Sequence, residues 1–193
     1  MVKWIVGALA LVVIGVGLWA FEPWRLWTSS TTDEAIPGVE DVDADTSVLD
    51  VAETTDARPG GGTTRERDAR PSEEPSQQPR LTVLGSGEFE DAEHETTGLA
   101  VVVEAADGSR FVRLEDLASS DGPDLHVALS DAPSGGDWGS YDDGRYVGLG
   151  ELKATHGNQN YEIPDDVDLD GLTTVVVWCD RFNVAFGTAD VAA

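Results

Sequence analysis

The sequence predicts an all-β domain, an antiparallel sandwich or barrel of about seven to nine strands, preceded by one transmembrane helix and a disordered linker. Three observations lead to this prediction. An uninterrupted apolar run stands near the N-terminus, the next segment is acidic and lacks aromatic residues, and the remainder carries short apolar runs separated by turn residues. These compositions divide the chain into residues 4–21, 28–80 and 81–193.

The first segment has the length of a membrane span. Eighteen uncharged residues run from Trp4 to Phe21, and a helix of that length reaches roughly 27 Å, enough to cross a hydrocarbon core. Lys3 precedes the run and Trp24 and Trp27 follow it, as at a membrane interface. We therefore expect a signal anchor with the N-terminus inside and the C-terminal domain extracytoplasmic. A cleaved secretory peptide is the alternative, although Leu-Trp-Ala at residues 18–20 is a poor cleavage site.

Charge narrows the range of partners. The chain has 37 acidic and 12 basic residues, a formal net charge of −25, and a chain of this charge repels phosphate backbones. Nucleic acid is therefore not an expected partner. Within residues 28–80, thirteen acidic residues and five arginines accompany few apolar residues, which predicts an extended, solvated linker between the bilayer and the domain.

The domain from residue 81 onward is predicted to consist of strands alone. Asp-Gly, Gly-Pro and Gly-Asn pairs mark its turns, and no amphipathic helical period competes with them. The predicted strands are residues 81–84, 87–89, 99–104, 110–114, 125–130, 146–152, 160–163, 173–178 and 182–186.

The last two predicted strands form a hairpin that contains the only cysteine. Three valines lead into Trp178 and Cys179, so the first strand should be buried on both faces. The second strand alternates from Phe182 to Phe186 and should have one apolar face. A chain with one cysteine cannot form an internal disulfide, so Cys179 is a free thiol, an intermolecular bridge, a ligand or a buried apolar residue. At a strand end, exposure of Cys179 is plausible.

Five motifs, in order along residues 82–189, resemble the DM13 domain. They are Gly87 to Phe89 with His94 and Gly98, Gly122 to Val127, Leu149 to Lys153, Gly157 to Pro164, and Val177 to Phe182. The anchor and acidic linker are similar to the arrangement of bacterial single-domain members. This resemblance implies an extracellular or membrane-linked protein, and it implies electron transfer through the family's shared cysteine.

On this resemblance Cys179 is the redox candidate, with Trp178 shielding it and Asp180 and Arg181 beside it. Arg181 would lower the pKa of the thiol and Asp180 would oppose that effect. DM13 domains also occur beside DOMON domains that bind haem or sugars. The residues assign no cofactor, but haem is chemically possible, with His126 and His94 as the cofactor-binding candidates. The histidines are not spaced as a metal pair, so no metal ligand is assigned.

The alternative function is a non-catalytic domain that binds the cell envelope, in which Cys179 is structural. Trp138 and Tyr141 lie on a Gly/Asp-rich loop, and aromatic rings on such loops suit carbohydrate stacking. Asn158, Gln159 and Tyr161 either bind a polar ligand or brace a turn. The partner is accordingly an envelope protein or a redox protein, and the residues alone assign no enzymatic reaction.

Overall fold

The structure, a computed structural model, describes residues 11–12, 15–16, 29–39, 46–49 and 81–192. It contains nine strands, which confirms the all-β prediction for this part of the chain. Among the described residues, no helix combines the length and apolar character that a membrane crossing needs. The strands are β1 (Thr31–Asp33), β2 (Thr82–Asp91), β3 (Thr96–Glu104), β4 (Arg110–Ser119), β5 (Leu125–Ser130), β6 (Tyr146–Glu151), β7 (His156–Ile163), β8 (Thr174–Cys179) and β9 (Val184–Asp190).

The first two predicted strands are a single strand, β2. From the sequence, Gly85 and Gly87 suggest an interruption between two strands, but both glycines lie within β2. A Cβ atom at either position would overlap the main-chain oxygen of Val191 or Asp190. These glycines therefore permit the close approach of β2 to the C-terminal strand, and they do not form a turn.

All nine strands belong to one sheet, in the order β1-β7-β4-β3-β2-β9-β8-β5-β6. Strand β2 joins its two halves, because residues 82–88 pair with β3 and residues 89–91 pair with β9. Register shifts interrupt five of the pairings, and such bulges bend strands and increase their twist. The sheet consequently curls into a half-barrel around its main core.

The inner face of this sheet supplies the main apolar core. Side chains from both halves meet there, among them Phe89, Leu114, Val127, Val177 and Phe186. A smaller core on the outer face of β5, β8 and β9 contains Val176 and Trp178 and is covered by the loop 131–145. Strand β9 is therefore buried on both faces from Ala185 to Ala189, whereas the sequence predicted one apolar face.

Part of the predicted linker packs against the domain. Residues 29–39 and 46–49, called the strap below, cover the outer face of β3 and β4. Strand β1 pairs in parallel with β7, and Ile36 and Val48 are 3% and 0% exposed beside Val101 and Phe111. These residues thus differ from the solvated spacer expected here. The rest of the predicted linker, and nearly all of the predicted transmembrane helix 4–21, lie outside the described residues.

A buried ion pair fastens the strap. Arg113 is fully buried, and its Nε donates to Glu115 Oε1 at 2.8 Å while its Nη1 donates to the Glu34 carbonyl at 2.9 Å. Glu115 also accepts hydrogen bonds from Ser47 Oγ at 2.6 Å and from the Val48 N–H at 2.8 Å. Both charges are therefore paired and hydrogen-bonded, as buried charges require.

Candidate functional site around Cys179

Cys179 ends β8 on the inner face of the sheet. Its Cα partners are Leu125 on β5 and Val184 on β9, and its side chain has no exposed surface. The thiol donates a weak hydrogen bond to the Pro123 carbonyl, with Sγ and O 3.5 Å apart. The exposure that a strand end makes plausible is absent, because the segment before β5 covers the sulfur.

The surroundings of Cys179 favour its protonated form. Burial raises the pKa of the thiol above its ordinary value, and the carboxylates of Asp124 and Asp180 raise it further. The main-chain N–H groups of Phe182 and Arg181 hydrogen-bond the sulfur and lower this pKa, but burial outweighs them. Asp180 therefore raises the pKa of the thiol, as the sequence predicts. The structure assigns Arg181 an effect through its main chain rather than its guanidinium.

The same two carboxylates hold His126. Its Nε2 lies 3.1 Å from Asp124 Oδ1 and 3.4 Å from Asp180 Oδ2, and 22% of its side-chain surface is exposed. His126 faces away from the core that Leu125 and Val127 enter, as the alternation along β5 predicts. Asp124 and Asp180 therefore border both the imidazole and the thiol.

Asp124 is a site residue that the sequence did not single out, since it is only one position of the motif Gly122 to Val127. Its φ is 88°, in the left-handed region that Asp tolerates better than most residues. Its carbonyl accepts the Asp180 N–H at 3.1 Å, which ties the segment before β5 to the β8–β9 turn at residues 180–183. The only signal in the sequence was its place between Pro123 and the strand that carries His126.

Trp178 does not shield Cys179, contrary to the sequence hypothesis. Successive side chains of a strand point to opposite faces, so Trp178 packs in the outer core while Cys179 enters the inner one. Its ring lies 6.4 Å from the ring of Tyr146. Burial, with Asp180 and Asp142 adding to it, raises the pKa of Tyr146 to about 12.

The described contacts do not fit the expected haem. An axial ligand needs open space in front of its donor atom, and Cys179 Sγ is enclosed. His126 is held by carboxylates, and the His94 ring packs on Phe186 with centroids 4.0 Å apart. These three residues therefore do not form a haem site. Within the described ranges, no three metal-ligating side chains lie together.

Of the two loop aromatics proposed for ligand stacking, one is exposed and the other is buried. Trp138 is 49% exposed, but Tyr141 is 1% exposed and belongs to the outer core. The Tyr141 hydroxyl accepts from the Gly136 N–H at 3.0 Å and donates to the Pro133 carbonyl at 3.2 Å. Tyr141 is thus corrected from a ligand residue to an anchor of its own loop.

The amide-rich segment that was predicted as a turn lies within β7 and serves the scaffold. Gln159 is fully buried, and its amide exchanges two hydrogen bonds with the main chain of Ala154 while accepting one from the Tyr161 hydroxyl at 2.7 Å. Asn158 Oδ1 accepts the Asp116 N–H at 2.9 Å. These three candidate ligand residues brace the start of β7, which is the bracing alternative considered from the sequence.

Fold and site together define a small all-β domain with one enclosed thiol beside a carboxylate–histidine cluster. The family model described as "Electron transfer DM13" matches residues 88–191, more than half of the chain. This chain belongs to the DM13 family. Comparison with curated proteins and with solved structures finds no match. The strap lies upstream of the matched residues.

Proposed function

We propose that this protein is a membrane-tethered, extracytoplasmic electron-transfer domain with Cys179 as its redox centre. The observation that carries the proposal is the setting of the thiol: two main-chain N–H groups point at the sulfur, and two carboxylates border it and His126. The N–H groups stabilise a thiolate when one forms, whereas burial, with the two carboxylates adding to it, keeps the resting thiol protonated. His126 supplies the polar contacts of the site.

Tethering is supported by the apolar run at the N-terminus. Three of its described residues, Leu11, Val12 and Val16, are 71%, 63% and 58% exposed, and large apolar side chains at this exposure suit contact with lipid. The N-terminus is proposed to lie inside and the folded domain outside.

Since the chain has one cysteine, a disulfide of Cys179 joins the chain to another molecule. The proposed oxidant is a disulfide on a partner. Cys179 sulfur attacks one sulfur of that disulfide, a mixed disulfide forms, and the second partner sulfur leaves as a thiol with the proton that Cys179 released. The site must open first, through the segment 121–124 or the turn 180–183, because these segments enclose the sulfur.

The test is a thiol–disulfide titration of the full chain in detergent. The protein is equilibrated with reduced and oxidised glutathione in varying ratio, quenched with acid and weighed by mass spectrometry. We expect a reversible transition to a single glutathione adduct, with no adduct on Cys179→Ala. A chain that stays unmodified at every ratio while folded, yet reacts once unfolded in urea, would refute Cys179 as a redox centre.

Exposure of Trp138 is the one observation that favours the alternative, a domain that binds the envelope. With Tyr141 buried, a stacking site there would rest on Trp138 alone. Binding of purified peptidoglycan by the full chain, lost in Trp138→Ala and retained in Cys179→Ala, would support that alternative.

A further inference from the structure

Two large apolar side chains are exposed at the Cys179 end of the sheet. Trp138 is 49% and Phe182 is 52% exposed. Among the described residues, the other exposed large apolar side chains are Leu49 of the strap, which is 37% exposed, and the three in the N-terminal run. Phe182, predicted to begin a strand, lies instead in the β8–β9 turn, three residues from Cys179.

The two segments that carry these rings lie side by side. The Ala185 N–H donates to the Trp138 carbonyl at 2.8 Å, and Asn183 Nδ2 donates to the Gly139 carbonyl at 3.4 Å. The loop 137–139 is thus held against the end of the hairpin that contains Cys179. Trp138 and Phe182 belong to one surface, called the docking patch below together with Asp124, Asp137 and Asp180.

Carboxylates dominate the charge of this patch. Asp124 and Asp180 are 44% and 50% exposed, and Asp137 is exposed beside Trp138. Arg181 is also exposed in the turn. Over residues 81–192 there are 23 acidic and five basic residues, so the field around the patch is negative.

We propose that the docking patch binds a basic protein surface and thereby places a partner against the turn that encloses Cys179. An apolar centre with a charged rim is the usual anatomy of a protein interface, and opposite charge accelerates the encounter. The partner's role in electron transfer rests on the proposed function of Cys179. The binding itself does not.

Docking has a chemical consequence at the sulfur. Asp124 and Asp180 are the two carboxylates that raise the pKa of Cys179. Cations placed against them would offset that effect, so the thiolate would form at lower pH when the partner is bound. The patch would thus couple recognition of a partner to activation of the thiol.

The binding test uses cytochrome c as a basic probe and titration calorimetry on the full chain in detergent. We expect binding that weakens steeply as ionic strength rises to about 0.15 M. The double variant Trp138→Ser with Phe182→Ser should bind about tenfold more weakly. The double variant Asp124→Asn with Asp180→Asn should also bind the probe more weakly, and its binding should depend less on salt, because two negative charges are lost. Asn tolerates the φ of Asp124, so this variant should keep the fold.

The controls lie away from the patch. Leu49→Ser removes an exposed apolar side chain from the strap, and Asp165→Asn with Asp166→Asn removes two exposed carboxylates from the loop preceding the start of β8. Each should change the affinity less than about twofold. Equal weakening by the patch and control variants would show that binding depends only on the general acidity of the chain, and this would overturn the proposal. Binding of peptidoglycan at Trp138 without binding of the basic probe would also overturn it. Unchanged thermal unfolding shows that each variant is folded.

A second readout separates this proposal from the redox function. In Asp124→Asn with Asp180→Asn, the pH dependence of thiol alkylation should shift to lower pH, as should that of the native chain with the probe bound. Binding at the patch without glutathione exchange at Cys179 would refute the redox centre and leave the docking patch intact. Glutathione exchange at Cys179 with no effect of the patch variants on binding would refute the docking patch and leave the redox centre intact.

Discussion

The strap-covered face and the Cys179 turn both bury polar groups, but they do so differently. Under the strap, Arg113 and Glu115 are held by hydrogen bonds from β4, β7 and both pieces of the strap. At the turn, the neutral Cys179 thiol donates one weak hydrogen bond to the Pro123 carbonyl, and two main-chain N–H groups point at its sulfur. The surrounding aspartates and Phe182 are about half exposed.

This difference separates stability from function. A charge pair saturated with hydrogen bonds is costly to disturb, so the strap face should open only when the domain unfolds. Opening a turn around a neutral thiol costs less free energy, because the side chains of that turn are already exposed. The region suited to regulated access is therefore the turn, and the region that maintains the fold is the strap face.

The largest expected effect is the loss of Glu115. In Glu115→Ala, Arg113 stays buried without its carboxylate and the strap loses two hydrogen bonds, so the free energy of unfolding should fall by about 3–5 kcal/mol. Urea unfolding of the full chain measures this loss. Hydrogen exchange of the strap, residues 29–39 and 46–49, should become faster in the same variant.

The control for that prediction is Glu162→Ala, an exposed carboxylate on the neighbouring strand β7. It should change stability by no more than about 0.5 kcal/mol. If Glu115→Ala costs as little as this control, the strap is not fastened by the ion pair and the contrast between the two regions fails.

A smaller effect is expected at Cys179. Cys179→Ala removes the sulfur and its weak hydrogen bonds from the core and should cost about 1 kcal/mol, whereas Val177→Ala on the same face of β8 should cost about 2 kcal/mol. Thermal unfolding of both variants measures the difference. A cost at Cys179 equal to that of Glu115→Ala would give the sulfur a structural role as large as that of the ion pair.

The smallest effect concerns the edge of the strap, where Lys153 Nζ lies 2.8 Å from Glu34 Oε2. Burial opposes ionisation of Glu34, but Lys153 and Asn160 outweigh it and lower the pKa of the carboxyl below 4.5. This stabilisation is present above pH 4.5 and is lost as pH falls through the lowered pKa. Because both groups are partly exposed, Lys153→Met should cost less than about 1 kcal/mol at neutral pH.

Urea unfolding at pH 7 and pH 3 measures that contribution. The difference between native chain and variant should shrink from pH 7 to pH 3, because protonation of Glu34 removes its attraction to Lys153. A difference that is the same at the two pH values would assign the effect of Lys153 to its contact with the Tyr161 ring, 5.1 Å from Nζ, and not to Glu34.

Local pattern predicted much of the β domain. Apolar runs and turn pairs located the strands from β3 to β8, because side chains alternate and turns need particular residues. However, β4 extends five residues beyond its predicted end and β7 begins four residues before its predicted start. The alternation along β5 placed His126 outside the main core, and the motifs identified the family that the comparison confirmed. The three valines before Trp178 correctly predicted a strand buried on both faces.

Long-range contacts explain where the predictions failed. Tyr141 reads as an exposed loop aromatic, but its burial depends on the outer face of β5 and β8. Ile36 and Val48 stand in a polar, acidic segment, and only the apolar outer face of β3 and β4 explains why they are buried. Asp124 reads as a turn residue, and its contact with Asp180 joins positions 56 residues apart in the sequence.

By itself the sequence determined the class of fold, the family and the position of the single thiol at the end of the hairpin, because those depend on local alternation, turn chemistry and motif order. Only the tertiary structure decided that Cys179 is enclosed, that Trp178 lies on the opposite face, and that Asp124 and Asp180 meet at His126. Burial and proximity depend on how distant strands pair and curl, and no short stretch of sequence contains that information.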